Sequence, residues 1–147
     1  MLQPGDELGR SVCIEKEEQS ELIERIQDTV RTGILGEDYT IIPRDKNRWL
    51  RRDYNITDIR IRQILLDLQM EDFVKAAKSD QPKFAQDIIY VFKKDVYLLP
   101  RWQEEADYIV VRLYIKITWP REDLKMLIIS FHEDNILYYR ETTIRCE

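Results

Sequence analysis

A single histidine, with the polar residues near it, is the group of this chain best suited to acid–base chemistry. His132 follows an apolar run at residues 126–131 and precedes Glu133 and Asp134. Imidazole titrates near neutral pH, so it can accept or release a proton under physiological conditions. A cationic and aromatic surface beside it could hold a phosphodiester, on which such a group could act.

The segment at residues 108–118 predicts the surface on which this chemistry would take place. Apolar and polar residues alternate in it, so the odd-numbered residues from Ile109 to Ile117 should pack on a core. The other face would then carry Arg112, Tyr114 and Lys116. We therefore expect a long strand with one buried face and one polar, solvent-exposed face.

The apolar run before His132 predicts the antiparallel partner of that strand. Its residues divide into a core set and a second set, which contains Ile128, Ser130 and His132. A turn centred near Arg121 places Arg112 opposite Ser130, and a register slip of two residues leaves the faces unchanged. The pattern alone leaves three interpretations open: a catalytic site, a non-catalytic binding face, and the ordinary wet face of an antiparallel sheet.

The elements that must position this hairpin divide the chain into a helical part and a sheet. Apolar residues at helical spacing predict helices over residues 17–32 and 55–68, with a short helix at 44–54 between them. A short strand is expected at 38–43 and one or two further helical turns at 72–78. Strands are expected at 87–99 (one strand or a tight pair), 108–118, 124–131 and 136–139. The fold class is therefore α+β, a single domain over 1–147 with N-terminal helices (about 1–80) packed on an antiparallel β-meander (about 84–140).

Composition and charge exclude several function classes. The chain has 147 residues, a net charge of −5 and 35% charged residues. Residues 1–42 are acidic, whereas the block at 43–62 has seven basic and three acidic residues and could bind an anion. The sequence has no glycine-rich phosphate loop, no clustered metal ligands, no apolar segment long enough to span a membrane and no signal peptide. A cytoplasmic protein without metal or cofactor is the expectation.

Five segments in order resemble toxins of the motility quorum-sensing regulator family. The resemblance is carried by "IIPRDKN" (41–47), "ITDIRIRQILLDLQMEDFVK" (56–75), "DIIYVFKKDV" (87–96), "LYIKI" (113–117) and "LIISFHED" (127–134). It implies a RelE-like fold and a metal-independent endoribonuclease that cuts mRNA. In such an enzyme the ribose 2′-hydroxyl attacks the adjacent phosphate. It also implies neutralisation by a cognate antitoxin, and it leaves open whether the ribosome is required. An exposed edge at residues 136–139 could pair with a strand of that antitoxin.

The resemblance also implies roles for particular residues. It matches family functional positions to Lys75, Gln86, Tyr114 and Lys116, and it places His132 where some members have lysine. His132 would transfer the proton, and Lys116 would assist electrostatically. Tyr114 would donate a hydrogen bond to the phosphate or stack on a base. Lys75 and Arg112 would hold the phosphate, with Gln86 and Ser130 also in the substrate-binding set.

A second hypothesis uses the same fold without catalysis. In it, the protein is a binding module that contacts a protein partner through the basic block at 43–62 or through a sheet edge. Fold alone does not decide between the two hypotheses, because related folds carry different functions.

Overall fold

A computed structural model describes residues 8–80, 87–120 and 125–134. Over these ranges the protein is mixed α+β, as predicted, with three helices and a curled, mostly antiparallel sheet. The helices are α1 (Lys16–Thr32), α2 (Asp45–Asp53) and α3 (Asp58–Leu66), and a 3₁₀ turn covers Met70–Asp72. The strands are β1 (Leu8–Val12), β2 (Tyr39–Ile41), β3 (Tyr54–Asn55), β4 (Phe73–Ser79), β5 (Ile88–Pro100), β6 (Ile109–Thr118) and β7 (Met126–Glu133).

The sheet has the strand order β1-β4-β5-β6-β7-β2. Neighbours from β1 to β7 are antiparallel, whereas β2 is parallel to β7 at the edge, where Tyr39 is opposite Met126. The short β3 pairs with the far end of β5. Long β5 and β6 therefore form the centre of the sheet, and β7 lies between them and the edge near α2.

The main core lies between one face of the sheet and helices α1 and α3. The periodic positions predicted from the sequence are buried in both helices, with Ile26 and Val30 of α1 fully inaccessible. Side-chain hydrogen bonds join the two helices: Gln27 Nε2 donates to the Leu66 carbonyl at 2.9 Å, and Arg62 Nη1 donates to the Val30 carbonyl at 2.9 Å. Helices α1 and α3 thus cover one face of the sheet, and the predicted site residues of β6 and β7 lie on the other face.

Residues 72–78, predicted to form helical turns, are mainly in strand β4. Ala76 and Ala77 are both 1% exposed, because β4 is paired with β1 on one side and β5 on the other. Alanine and lysine favour helices locally, but strand pairing and burial on both faces override that weak preference. The first 80 residues therefore contain strands β1, β3 and β4 besides the helices and the short strand predicted at 38–43, which is β2.

A β-bulge changes the faces predicted for β7. Ser130 pairs with Lys116, but Ile128 pairs with Ile117, so Ile129 is an extra residue in β7. An extra residue inverts the alternation on one side of the bulge. Ile128, predicted on the polar face, therefore packs in the main core, whereas Ile129, predicted in the core set, packs in a small second cluster on the other face.

A buried lysine ties the 3₁₀ turn to the sheet. Lys94 of β5 is 8% exposed, and its Nζ donates to the Asp72 carboxylate at 3.0 Å and to the Asp67 carbonyl at 2.8 Å. A buried ammonium needs such partners because its desolvation is costly. Lys94 thus lies on the core side of β5, where its contacts stabilise the fold. None of the helices in the described ranges has the length and apolar character needed to cross a membrane.

Candidate functional site

The pairing of three strands brings His132 beside Tyr114. Tyr114 of β6 pairs with Lys93 of β5 on one side and with His132 of β7 on the other. The centroids of the Tyr114 and His132 rings are 5.5 Å apart, with a 35° angle between the ring planes. Directly opposed residues project from the same face of a sheet. We call Lys93, Tyr114 and His132 the Tyr114 row, and the face that carries them the site face.

The next row along the strands contains three further residues of the predicted site. Lys75 of β4 pairs with Val91 of β5, which pairs with Lys116 of β6, which pairs with Ser130 of β7. We call these four residues the Lys116 row. Lys75 and Lys116 are two strands apart, which corresponds to roughly 10 Å between their backbones. The two rows therefore place five of the seven predicted site residues on one face.

The predicted register of β6 and β7 is wrong by four residues, because Ser130 pairs with Lys116 rather than with Arg112. Arg112 is opposite Asp95 of β5, and its Nε and Nη2 donate to that carboxylate at 2.8 and 3.2 Å. Its backbone carbonyl accepts a hydrogen bond from the Asp134 amide. Arg112 thus lies one row beyond Tyr114 with its guanidinium in an ion pair. Gln86 and the edge strand predicted at 136–139 lie outside the described residues.

The site face is not the solvent-exposed surface predicted from the alternation. His132 is 6% exposed, Lys116 is 4% exposed and Ser130 is 1% exposed. Lysine side chains lie close to the Tyr114 ring, since Lys116 Nζ is 5.8 Å and Lys93 Nζ is 6.0 Å from its centroid. Helix α2, which packs against β7, contributes further side chains to this region. These long side chains and α2 contribute to the low exposure.

Asn47 of α2 fixes the position of β7 next to the site. Its Nδ2 donates to the Ile129 carbonyl at 2.9 Å, and its Oδ1 accepts from the Phe131 amide at 2.8 Å. A single buried side chain thus replaces the neighbouring strand where β2 has ended, and it does so at the bulge that precedes His132. Buried backbone groups at a strand edge need such partners.

Arg44 adds a cation on the site face immediately before α2. It is 8% exposed, and its Nη1 donates to the Ile129 carbonyl at 3.2 Å and to Ser130 Oγ at 3.5 Å. Burial, together with the positive charges of Lys46, Arg44 and Lys116, lowers the pKa of His132 to about 4. His132 is therefore neutral at physiological pH.

The hydrogen bond of the histidine ring assigns its neutral tautomer. His132 Nδ1 lies 3.0 Å from the Glu133 carbonyl oxygen, which can only accept. Nδ1 must therefore carry the hydrogen and donate it, which leaves the lone pair on Nε2. In this form the ring can accept a proton at Nε2 but cannot donate one from that atom.

Tyr114 remains protonated under the same conditions. Burial and the nearby charge of Asp134 raise the pKa of Tyr114 to about 12, against a smaller opposite effect of Arg44. Asp134 also forms an ion pair with Lys93, with 3.3 Å between Nζ and Oδ2. Tyr114 can therefore donate a hydrogen bond from its hydroxyl, and Lys93 is partly neutralised by its acidic neighbour.

Sequence analysis missed four residues that shape this site: Arg44, Lys46, Asn47 and Lys93. The alternation of residues 87–99 was a usable signal for Lys93, because it places every second residue of that segment on one face. Arg44 and Lys46 belong to the basic block at 43–62, but nothing in the sequence places that block or Asn47 beside β7. Their roles depend on contacts with β7 more than 80 residues away in the sequence.

A separate cavity of about 340 Å³ lies between β2, α2 and α3. Apolar side chains, including Leu50 and Phe131, form part of its lining, and Arg48 and Arg51 are the basic residues there. Phe131 belongs to the main core, so this cavity is not part of the site face. Among residues 8–80, 87–120 and 125–134, no three His, Cys, Asp or Glu side chains converge as ligands for a metal ion.

Comparisons with known proteins gave no assignment. No family model, curated protein or solved structure matched this chain.

Proposed function

We propose that this protein is a metal-independent endoribonuclease of the mRNA interferase type, with a RelE-like fold, and that the site face holds its active site. The observation that carries the proposal is the Tyr114 row: a neutral imidazole with its lone pair on Nε2 beside a protonated tyrosine, with cations near both rings. These groups match the needs of RNA cleavage by internal attack, namely a proton acceptor, a hydrogen-bond donor and positive charge.

In this mechanism His132 acts as the general base. Nε2 takes the proton of the ribose 2′-hydroxyl, the 2′-oxygen forms a bond to phosphorus, and the bond from phosphorus to the 5′-oxygen breaks. The departing 5′-oxygen then takes the proton back from the imidazolium, so that no proton is gained or lost overall. The products are a 2′,3′-cyclic phosphate and a 5′-hydroxyl.

Positive charge and hydrogen bonding stabilise the phosphorane in this mechanism. Lys116 and Arg44 lie on either side of Ser130, and Lys93 lies beside Tyr114. The Tyr114 hydroxyl donates to a non-bridging phosphate oxygen. Lys75 is two strands from Lys116 and therefore contacts a neighbouring part of the RNA rather than the reacting phosphate.

The partners of the proposed enzyme are mRNA as substrate and a cognate antitoxin, and the compartment is the cytoplasm. The antitoxin rests on the family resemblance alone, which also leaves open whether the ribosome is required, and the compartment rests on the composition of the chain. The substrate rests on the resemblance together with the cationic surroundings of His132.

A second candidate function is a binding module without catalysis. The low exposure of His132, Lys116 and Ser130 favours it, because a substrate must displace neighbouring side chains to reach these groups. The basic block at 43–62 supports this candidate less well than its net charge suggests. Arg48, Arg51 and Arg52 each form an ion pair with an aspartate.

The deciding experiment incubates the purified protein with RNA of mixed sequence in EDTA, with and without ribosomes. The variants are His132→Gln, His132→Ala and Tyr114→Phe, with Tyr97→Phe as a matched control. Tyr97 belongs to β5 and is 64% exposed, two rows from Tyr114 along the strand. Each variant is first checked for folding by circular dichroism.

We expect the wild type and Tyr97→Phe to cut RNA and leave cyclic-phosphate ends. The three site variants should lose at least tenfold in rate, which corresponds to about 1.4 kcal/mol each. Intact RNA under both conditions would exclude the nuclease and favour the binding module. Cleavage that survives in a folded His132→Gln variant would exclude His132 as the base.

A further inference from the structure

The cations of the site face are arranged across the strands. The Lys116 row contains Lys75 and Lys116, and the Tyr114 row contains Lys93. From β4 to β7 the distance across three strand spacings is roughly 14 Å. Positive charge therefore follows a line perpendicular to the strands and passes His132 at the β7 end.

Helix α2 and the residue before it extend this line beyond β7. The Arg44 guanidinium reaches Ser130 Oγ, so its charge lies next to the Lys116 row. The charge of Lys46 affects His132 more strongly than the charges of Arg44 and Lys116 do. In the described part of the chain, no carboxylate forms an ion pair with Lys46, which is half-buried. Lys46 thus adds, at the start of α2, a positive charge near His132 that no described carboxylate pairs with.

Along the strands, the site face lacks the row of cations that it carries across them. Beyond the Tyr114 row, the Arg112 guanidinium is paired with Asp95, and Asp134 is close to Lys93. Beyond the Lys116 row on the other side, the next pair is Ala77 and Ile89, which are both buried and apolar. An anionic polymer that followed the strands would meet carboxylates in one direction and apolar side chains in the other.

We propose that single-stranded RNA crosses the strands of the site face, with one phosphate beside Lys46 and Arg44 outside β7 and another beside Lys75 on β4. The reacting phosphate lies between these two positions, next to His132 and Lys116. This proposal rests on the proposed function for the identity of the polymer. It adds the path of the chain and two phosphate-binding positions on either side of the reacting phosphate.

The test measures binding of a single-stranded RNA oligonucleotide that carries 2′-O-methyl groups, so that no 2′-hydroxyl can attack. Affinity is measured over a range of salt concentrations for Lys46→Ala, Lys75→Ala and the double variant. Each has a matched control on the same element: Arg48→Ala, an exposed cation of α2, and Lys78→Ala, an exposed lysine of β4. Lys78 is three residues from Lys75 and pairs with Ile88, so it projects from the opposite face.

Each lost phosphate contact should reduce the slope of log K against log salt by about 0.7, and the double variant should lose about 1.4. The controls should retain the wild-type slope. Equal slopes for Lys46→Ala and the wild type, or equal changes in the variants and their controls, would overturn the proposed path.

The outcome also separates this proposal from the nuclease proposal. Binding with the expected slopes, but without cleavage of unmodified RNA, would support the path and exclude catalysis. Cleavage with unchanged slopes would support the nuclease and exclude the path. A protein that neither binds nor cuts RNA would exclude both, and the cationic line would then be a surface for an acidic protein partner.

Discussion

Protonation of His132 should destabilise the fold in mild acid. Burial and the charges of Lys46, Arg44 and Lys116 lower its pKa from 6.5 to about 4. Between these two values the unfolded chain binds a proton that the folded protein does not bind. The contribution of His132 to stability is therefore complete above pH 6.5 and is lost as the pH falls towards 4. At 1.36 kcal/mol per pKa unit, the total loss is about 3 kcal/mol.

The assay is urea unfolding of the wild type and of His132→Gln at about pH 7.5 and about pH 4.5. Both proteins lose the stability that depends on their carboxylates, so the difference between their losses isolates the histidine. We expect the wild type to lose roughly 2.5 kcal/mol more than the variant over this interval. Because the chain has one histidine, its proton NMR signal can be followed without assignment. Equal losses of unfolding free energy in the two proteins, together with a His132 titration midpoint near pH 6.5 by NMR, would refute the buried position of the ring beside the cations.

Three further predictions concern the contacts around the site. Asn47→Ala should lower the free energy of unfolding by about 2 kcal/mol, because the buried Phe131 amide loses its partner and the Ile129 carbonyl keeps only Arg44; a loss below about 0.5 kcal/mol in urea unfolding would contradict this role of Asn47. Asp72→Ala should cost about 2 kcal/mol in the same assay, because it removes the less exposed of the two carboxylates that pair with buried Lys94 and leaves only Asp67, and an unchanged midpoint would show that Asp67 is sufficient. Arg112→Ala should cost less than about 1 kcal/mol, because its ion pair with Asp95 is exposed. It should also leave the salt slope of RNA binding unchanged, and a reduced slope would place Arg112 on the RNA path.

Periodic burial is the part of this fold that the sequence predicts well. Helices α1 and α3 each bury one apolar stripe, and β6 alternates between faces along its central part. In these elements the side-chain pattern records directly which side meets the core. The site face benefits from the same rule, because Tyr114, Lys116, Ser130 and His132 were assigned to one face before any pairing was known, and the strands place them there.

Interactions between distant segments explain what the sequence did not predict. The β4 segment has the composition of a helix, and only its pairing with β1 and β5 makes it a strand. The bulge at Ile129 adds one residue to β7 and inverts the faces of the residues before it. No residue type in this segment predicts a bulge. The low exposure of the site face likewise depends on α2, whose contacts with β7 no local pattern reveals.

The burial of His132 bears differently on the two candidate functions. A general acid at neutral pH needs a protonated imidazole, and a pKa of about 4 excludes that form in the free protein. A general base needs the opposite form, which the same burial and the same cations maintain. When a phosphate binds among those cations, its negative charge offsets their effect and raises the pKa of the ring, which makes it a better proton acceptor. In a binding module, a neutral imidazole whose Nδ1 donates to a carbonyl would have a structural role only. In the proposed nuclease the ring would take a proton only after an anion has bound, which is the behaviour required of the base in RNA cleavage.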